Sequence, residues 1–119
     1  MTGKLEFLEE TVVVGKVHVS VALCPLDNGW LLLVSDGAHR IGSVGVGVPT
    51  PFGELGPVAT ACVLGARFES AVRAIADIAA QKLHGLVIVN VFLSRENEAN
   101  ISVALTAVRQ ILLKVKRPK

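Results

Sequence analysis

Hydrophobic and polar positions alternate from Thr11 to Leu23. Val13, Val17, Val19, Val21 and Leu23 fall on one side and Lys16, His18 and Ser20 on the other, the two-residue period of a half-buried strand. Asp27-Asn28-Gly29 tolerates positive φ and predicts a hairpin turn. Trp30 to Val34 is apolar on both sides, as an interior strand would be. After a second turn signal at Asp36-Gly37, Ile41 to Val48 reads as a third strand. Three prolines and two glycines make Pro49 to Pro57 a loop, and Val58 to Leu64 is a fourth strand. The period then changes. Val72, Ile75, Ala79 and Leu83 recur at helical spacing, with Glu69, Arg73, Asp77 and Gln81 stacked opposite at i, i+4. Gly85, after Lys82 and His84, predicts the helix stop. Leu86 to Leu93 is a central strand whose one polar residue, Asn90, needs hydrogen-bond partners, a ligand or water. Capping residues in Ser94 to Glu98 introduce a second helix with Ile101, Leu105, Val108 and Leu112 on one stripe.

The order β-β-β-β-α-β-α predicts an α+β fold: a mixed five-stranded sheet with two helices packed on one face. The first four strands are expected to be antiparallel and hairpin-connected. The fourth and fifth, joined through a helix, are expected to run parallel. No linker or repeat divides residues 1–119, so a single domain is expected. The second sheet face then needs a cover. With 51% hydrophobic and 18% charged residues and a mean hydropathy of +0.57, a homodimer or higher homo-oligomer is the expected source of it.

Composition narrows function further. Apolar runs such as Trp30 to Val34 fall far short of the roughly 20 residues of a spanning helix. Met1 to Glu6 lacks a signal-peptide pattern, so a cytoplasmic location without membrane association is expected. The net charge of +2 does not point to nucleic acid, and the Lys114, Lys116, Arg117 and Lys119 cluster reads as a solvated helix end. Cys24 and Cys62 form no CxxC. Three histidines and two cysteines show no metal-ligand spacing, and no nucleophile–base order stands out, so no catalytic residue is assigned. An enzyme built on His39 and Asp36 ranks last.

The most informative segment is Gly37 to Val48. Alternation sends Val44, Val46 and Val48 to one side and leaves Ser43, Gly45 and Gly47 on the other, a face almost without side chains. Another body must lie on that backbone: the Ala-rich helix (Ala71, Ala74, Ala76, Ala79, Ala80), a subunit, or a planar ligand. Gly65-Ala66-Arg67-Phe68, where a strand feeds a helix, offers backbone N–H groups and a cation to a phosphate, or is a plain connection. His39 and Arg40, beside Asp36, are either turn residues or an anion-holding set.

The run His39-Arg40-Ile41-Gly42-Ser43-Val44-Gly45-Val46-Gly47-Val48-Pro49 resembles the H-I-G-A-V-A-x-A-x-P stretch of LpdD-like prenylated-flavin chaperones, small proteins associated with UbiD-type decarboxylases. The similarity continues through Ala59 to Gly65, the Ala-rich helix, Leu86 to Leu93 and the last helix. Arg40 is an insertion relative to that pattern, and Asn90 to Ser94 has neither the His nor the Asp of the family's G-I-H-x-D. The resemblance implies a fold like that of proteasome assembly chaperones and a non-catalytic carrier of prenylated FMN or FMN, with a UbiD-type decarboxylase as partner. It implies cofactor contacts at His39, Arg40, Ser43, Gly45, Gly47, Gly65 and Arg67. The alternative is a protein–protein assembly factor of the proteasome-chaperone type with no small ligand.

Overall fold

The alternating N-terminal stretch folds as two strands. In the computed structural model, which describes residues 5–49, 58–64, 68–94 and 97–115, β1 (Leu8–Val14) and β2 (Val17–Leu26) form a hairpin turning at Gly15 and Lys16. Gly15 takes φ +60°, which a two-residue hairpin loop requires. The turn reverses the parity: Val14 and Val17 are register partners and Val13 pairs with His18, so Val13 lies on the side opposite Val17, Val19, Val21 and Leu23, not with them as expected. The expected strand from Thr11 to Leu23 is therefore a pair, and the mixed sheet has six strands.

The chain continues through β3 (Gly29–Ser35), β4 (Ser43–Pro49), β5 (Val58–Leu64), α1 (Glu69–Leu83), β6 (Val87–Phe92) and α2 (Glu98–Leu113). The α+β class, the mixed sheet and the two helices are as expected from the periodicity. The strand order is β1-β2-β3-β6-β4-β5, which corrects one expectation: β3 and β4 are not a hairpin, because β6 lies between them. The β6 strand is parallel to β3 and antiparallel to β4. Since β5 is also antiparallel to β4, β5 and β6 run parallel as expected, but on opposite sides of β4. The centre goes to β6 because its apolar residues suit the position with neighbours on both sides. The Pro49–Pro57 loop lies outside the described residues apart from Pro49.

Register assigns the faces. Val19, Val21, Leu23, Leu32, Val34, Val87, Val89 and Val91 align across β2, β3 and β6 and belong to the core under the helices. Helix α1 packs on β4, β5 and β6, while α2 packs on β1, β2 and β3, and the two helices touch each other. The stacked polar face of α1 is present, with Arg73 paired to Glu69 and Gln81 donating to Asp77. The helix stops at Leu83, just before Gly85, as expected. His84, not Gly85, takes the left-handed conformation (φ 53°), and its N–H donates to the Ala80 carbonyl at 2.9 Å. Gly85 instead lies close under Trp30, where an added Cβ would sit 3.5 Å from the indole. Helix α2 starts at Asn97, whose side chain accepts from the Asn100 N–H. Lys114 pairs with Glu10 of β1, tying the basic end of α2 to the sheet edge.

Candidate functional site: the uncovered sheet face

Alternation in β4 is realised as the sequence suggests. Ser43, Gly45 and Gly47 are buried and aligned with Val91, Val89 and Val87 of β6, so they belong to the helix-covered face. The body lying on this backbone at Gly47 is α1. A Cβ added there would meet the Ala76 carbonyl oxygen at 2.5 Å and the Ala80 Cβ at 3.2 Å. Helix and strand approach closely because one side offers hydrogen and the other alanine.

Among the described residues no helix lies on the opposite face. On β3 it presents Leu31 and Leu33, on β6 Ile88 and Asn90, and on β4 Val44, Val46 and Val48. Ile88 is 38% exposed and Val48 42%. Leu31, Leu33, Val44 and Ile88, with His39, Arg40, Ile41 and Asn90 at one end, line a shallow, nearly all-apolar groove of about 390 Å³.

Asn90 is the polar exception, and its partners are internal. Its Nδ2 donates to the Arg40 carbonyl at 2.8 Å and its Oδ1 accepts from the Gly42 N–H at 2.8 Å. The β3–β4 connection is thereby strapped across the end of β6. Gly42 is needed at this crossing, since a Cβ would fall 2.2 Å from the Val91 carbonyl oxygen. His39 and Arg40 are exposed in this connection, and the Arg40 guanidinium carbon lies 5.7 Å from the centre of the Phe92 ring. Asp36 does not join them: its carboxylate accepts from the Ser94 N–H and the Ser94 hydroxyl, the latter at 2.7 Å.

Of the residues singled out by sequence, His39 and Arg40 border the open groove, whereas Ser43, Gly45 and Gly47 face the helix layer. Gly65 and Arg67 lie outside the described residues. Sequence reasoning passed over Leu31, Leu33 and Ile88 as groove-lining positions, although the two-sided apolarity of Trp30 to Val34 was the available signal. Cys24 is a buried free thiol. Strands β2 and β5 stand four places apart, roughly 19 Å at the usual spacing, too far for Cys24 and Cys62 of one chain to bond. Among the described residues no cluster of three His, Cys, Asp or Glu could hold a metal, and no helix is long and apolar enough to cross a membrane.

No family model and no curated protein matches the sequence. A solved structure is similar: a chain from the crystal structure of a novel chaperone complex for yeast 20S proteasome assembly. It has a TM-score of 0.62 and 14% identity over 92% of this chain and 91% of that one. At that identity the likeness is one of fold alone: the chain folds like a chain of that proteasome-assembly chaperone complex.

Proposed function

We propose that this chain is a non-catalytic protein-assembly factor that acts as a homodimer, two copies meeting through the uncovered faces of their sheets. The observation that carries the reading is the one-sided cover: α1 and α2 both lie on one face, and the other keeps Leu31 beside Ile88 and, one register step on, Leu33 and Val44 on either side of Asn90. Apolar surface contiguous over several strands is costly in water and marks a protein contact. A second sheet laid on the first completes the stack, as in face-to-face sheet packing. The similar chain comes from an assembly-chaperone complex, which supports the same class of work.

Sedimentation at micromolar concentration is expected to give twice the chain mass. Replacing Leu33 with aspartate is expected to shift the protein to monomer, because the new charge would be buried without a partner. A single-chain mass for the unmodified protein would overturn the reading.

The carrier of prenylated FMN or FMN implied by the LpdD-like resemblance, with a UbiD-type decarboxylase as its partner, makes a different forecast: quenching of flavin fluorescence on mixing. A ring resting on the Gly47 backbone would have to displace α1. The assembly-factor reading expects FMN fluorescence to stay unchanged at tens of micromolar protein, and quenching that saturates would favour the carrier.

A further inference from the structure

We propose that the cavity between the C-terminal ends of α1 and α2 binds a small amphipathic anion, a monocarboxylate with an aliphatic tail. Its carboxylate pairs with Lys82 and its tail lies against Trp30. The cavity has a volume of about 470 Å³, within the size range of small-molecule sites. It sits on the helix-covered side of the sheet, at the seam between the two helices: α1 is packed on β4, β5 and β6, and α2 on β1, β2 and β3. The open groove is on the other face, so this site does not depend on the dimer.

The walls of the cavity are apolar. Trp30, Leu83, Leu112, Leu113 and Val115 line it, and Leu83 and Leu112 belong to the core as well. Trp30 is held in place at both ends. Its backbone N–H donates to the Leu86 carbonyl at 2.8 Å, and its ring lies over Gly85, whose missing side chain leaves room for it. A wall fixed in this way gives up little freedom when a ligand docks against it.

Charge and hydrogen bonding choose the head group. Two basic side chains, Lys82 and His84, line the cavity, and no acidic one does. The dipole of α1 accounts for a cation at this end of the helix, but not for its lack of a carboxylate. Arg73 on the same helix is paired with Glu69, whereas Lys82 has no ion-pair partner. The half-buried Trp30 indole N–H also lacks a hydrogen-bond acceptor. Carbonyls in the last turns of both helices, which would repel an anion, are engaged. The His84 N–H donates to the Ala80 carbonyl at 2.9 Å, the Lys114 N–H to Ile111 at 3.0 Å and the Val115 N–H to Leu112 at 3.3 Å. A cation would meet Lys82 unfavourably, and a purely apolar ligand would bury the indole N–H without a partner. An anionic acceptor on an apolar body satisfies both groups and the walls.

The test uses the chain's own fluorescence. Trp30 is its one tryptophan and it has no tyrosine, so intrinsic emission of the full chain reports on this cavity. Octanoate is expected to shift that emission to the blue and to saturate, with circular dichroism unchanged. Octan-1-ol, the same tail without the charge, is expected to bind roughly fivefold to tenfold more weakly. Lys82→Gln, at an exposed position, is expected to reduce octanoate to the affinity of octan-1-ol and to leave octan-1-ol unchanged. Lys82→Arg and Arg109→Gln, the second removing an exposed cation of α2 outside the lining, are expected to bind octanoate as the parent does. Emission that does not move up to roughly 10 mM octanoate, beyond the millimolar range of weak specific binding, would remove the site. Equal binding of octanoate and octan-1-ol by the parent, or an equal loss of both in Lys82→Gln, would overturn the anionic head.

Discussion

Replacing Gly47 with valine is expected to cost about 3 kcal/mol or more of folding stability, at the upper end of overpacking penalties because backbone stands in the way. The new Cβ would lie 2.5 Å from the Ala76 carbonyl oxygen and 3.0 Å from its carbon, both part of the α1 main chain. A flexible side chain could swing aside, but a helix backbone cannot. The strand is equally constrained, since β4 is hydrogen-bonded to β6 on one edge and β5 on the other. The remaining response is for α1 to lift away, which exposes the apolar contacts of Ile75, Ala76, Ala79 and Ala80. Domains of this kind have only about 5–15 kcal/mol in total. The thermal midpoint should therefore fall by roughly 10 °C, from the scaling for small domains. Urea and thermal melts followed by circular dichroism measure this, with Val48→Ala as the neighbouring control, because Val48 points to the open side. A melt within two or three degrees of the parent (about 1 kcal/mol or less) would mean that α1 does not rest on Gly47.

How much of this was legible in the sequence depends on the range of the interaction concerned. Parity along a strand is local, so the bare side of β4 and the apolar side opposite could be read from Ser43 to Val48 directly. The α1 stripe and its Glu69–Arg73 and Asp77–Gln81 stacks are local in the same sense. The need for a partner at Asn90 was legible too, but not which one: Gly42 and Arg40 are 48 and 50 residues away in the chain. Strand order was not legible. Nothing in β3 or β4 says that β6 will come between them, because any of these apolar strands satisfies the same alternation and the choice is made by packing over the whole sheet. Neighbours in sequence also misled. Asp36 stands beside His39 and Arg40 in the chain, yet its carboxylate is taken by Ser94, 58 residues on. Ile41 was read as the first residue of a strand because it is apolar and leads into Val44 and Val46, although it falls on the other parity from them. Instead, Asn90 and the close passage of Gly42 over Val91 hold it outside the sheet.

That strap can be cut at one atom pair at a time. Asn90→Ala is expected to cost about 2–4 kcal/mol, because it leaves the Gly42 N–H and the Arg40 carbonyl without their partners at a site where Asn90 itself is only 7% exposed. Asn90→Asp separates the two halves of the grip. The new carboxylate still accepts from the Gly42 N–H, but facing the Arg40 carbonyl it has no hydrogen to donate. Burial and that carbonyl both disfavour the charge and raise the folded-state pKa above the ordinary aspartate value of about 3.9. The sign follows. Below the unfolded pKa both states hold the proton, the acid can donate to Arg40 as the amide did, and the variant should approach the parent. As pH rises from the unfolded pKa to the raised folded pKa, the unfolded chain gives up its proton while the folded one keeps it, and the variant loses stability relative to the parent, the loss levelling off above the folded pKa. Chemical denaturation of both proteins from pH 4 to pH 8 should therefore show a gap that widens with pH. A gap independent of pH would place the carboxyl in water, and Asn90 would then not be the buried bridge between Arg40 and Gly42.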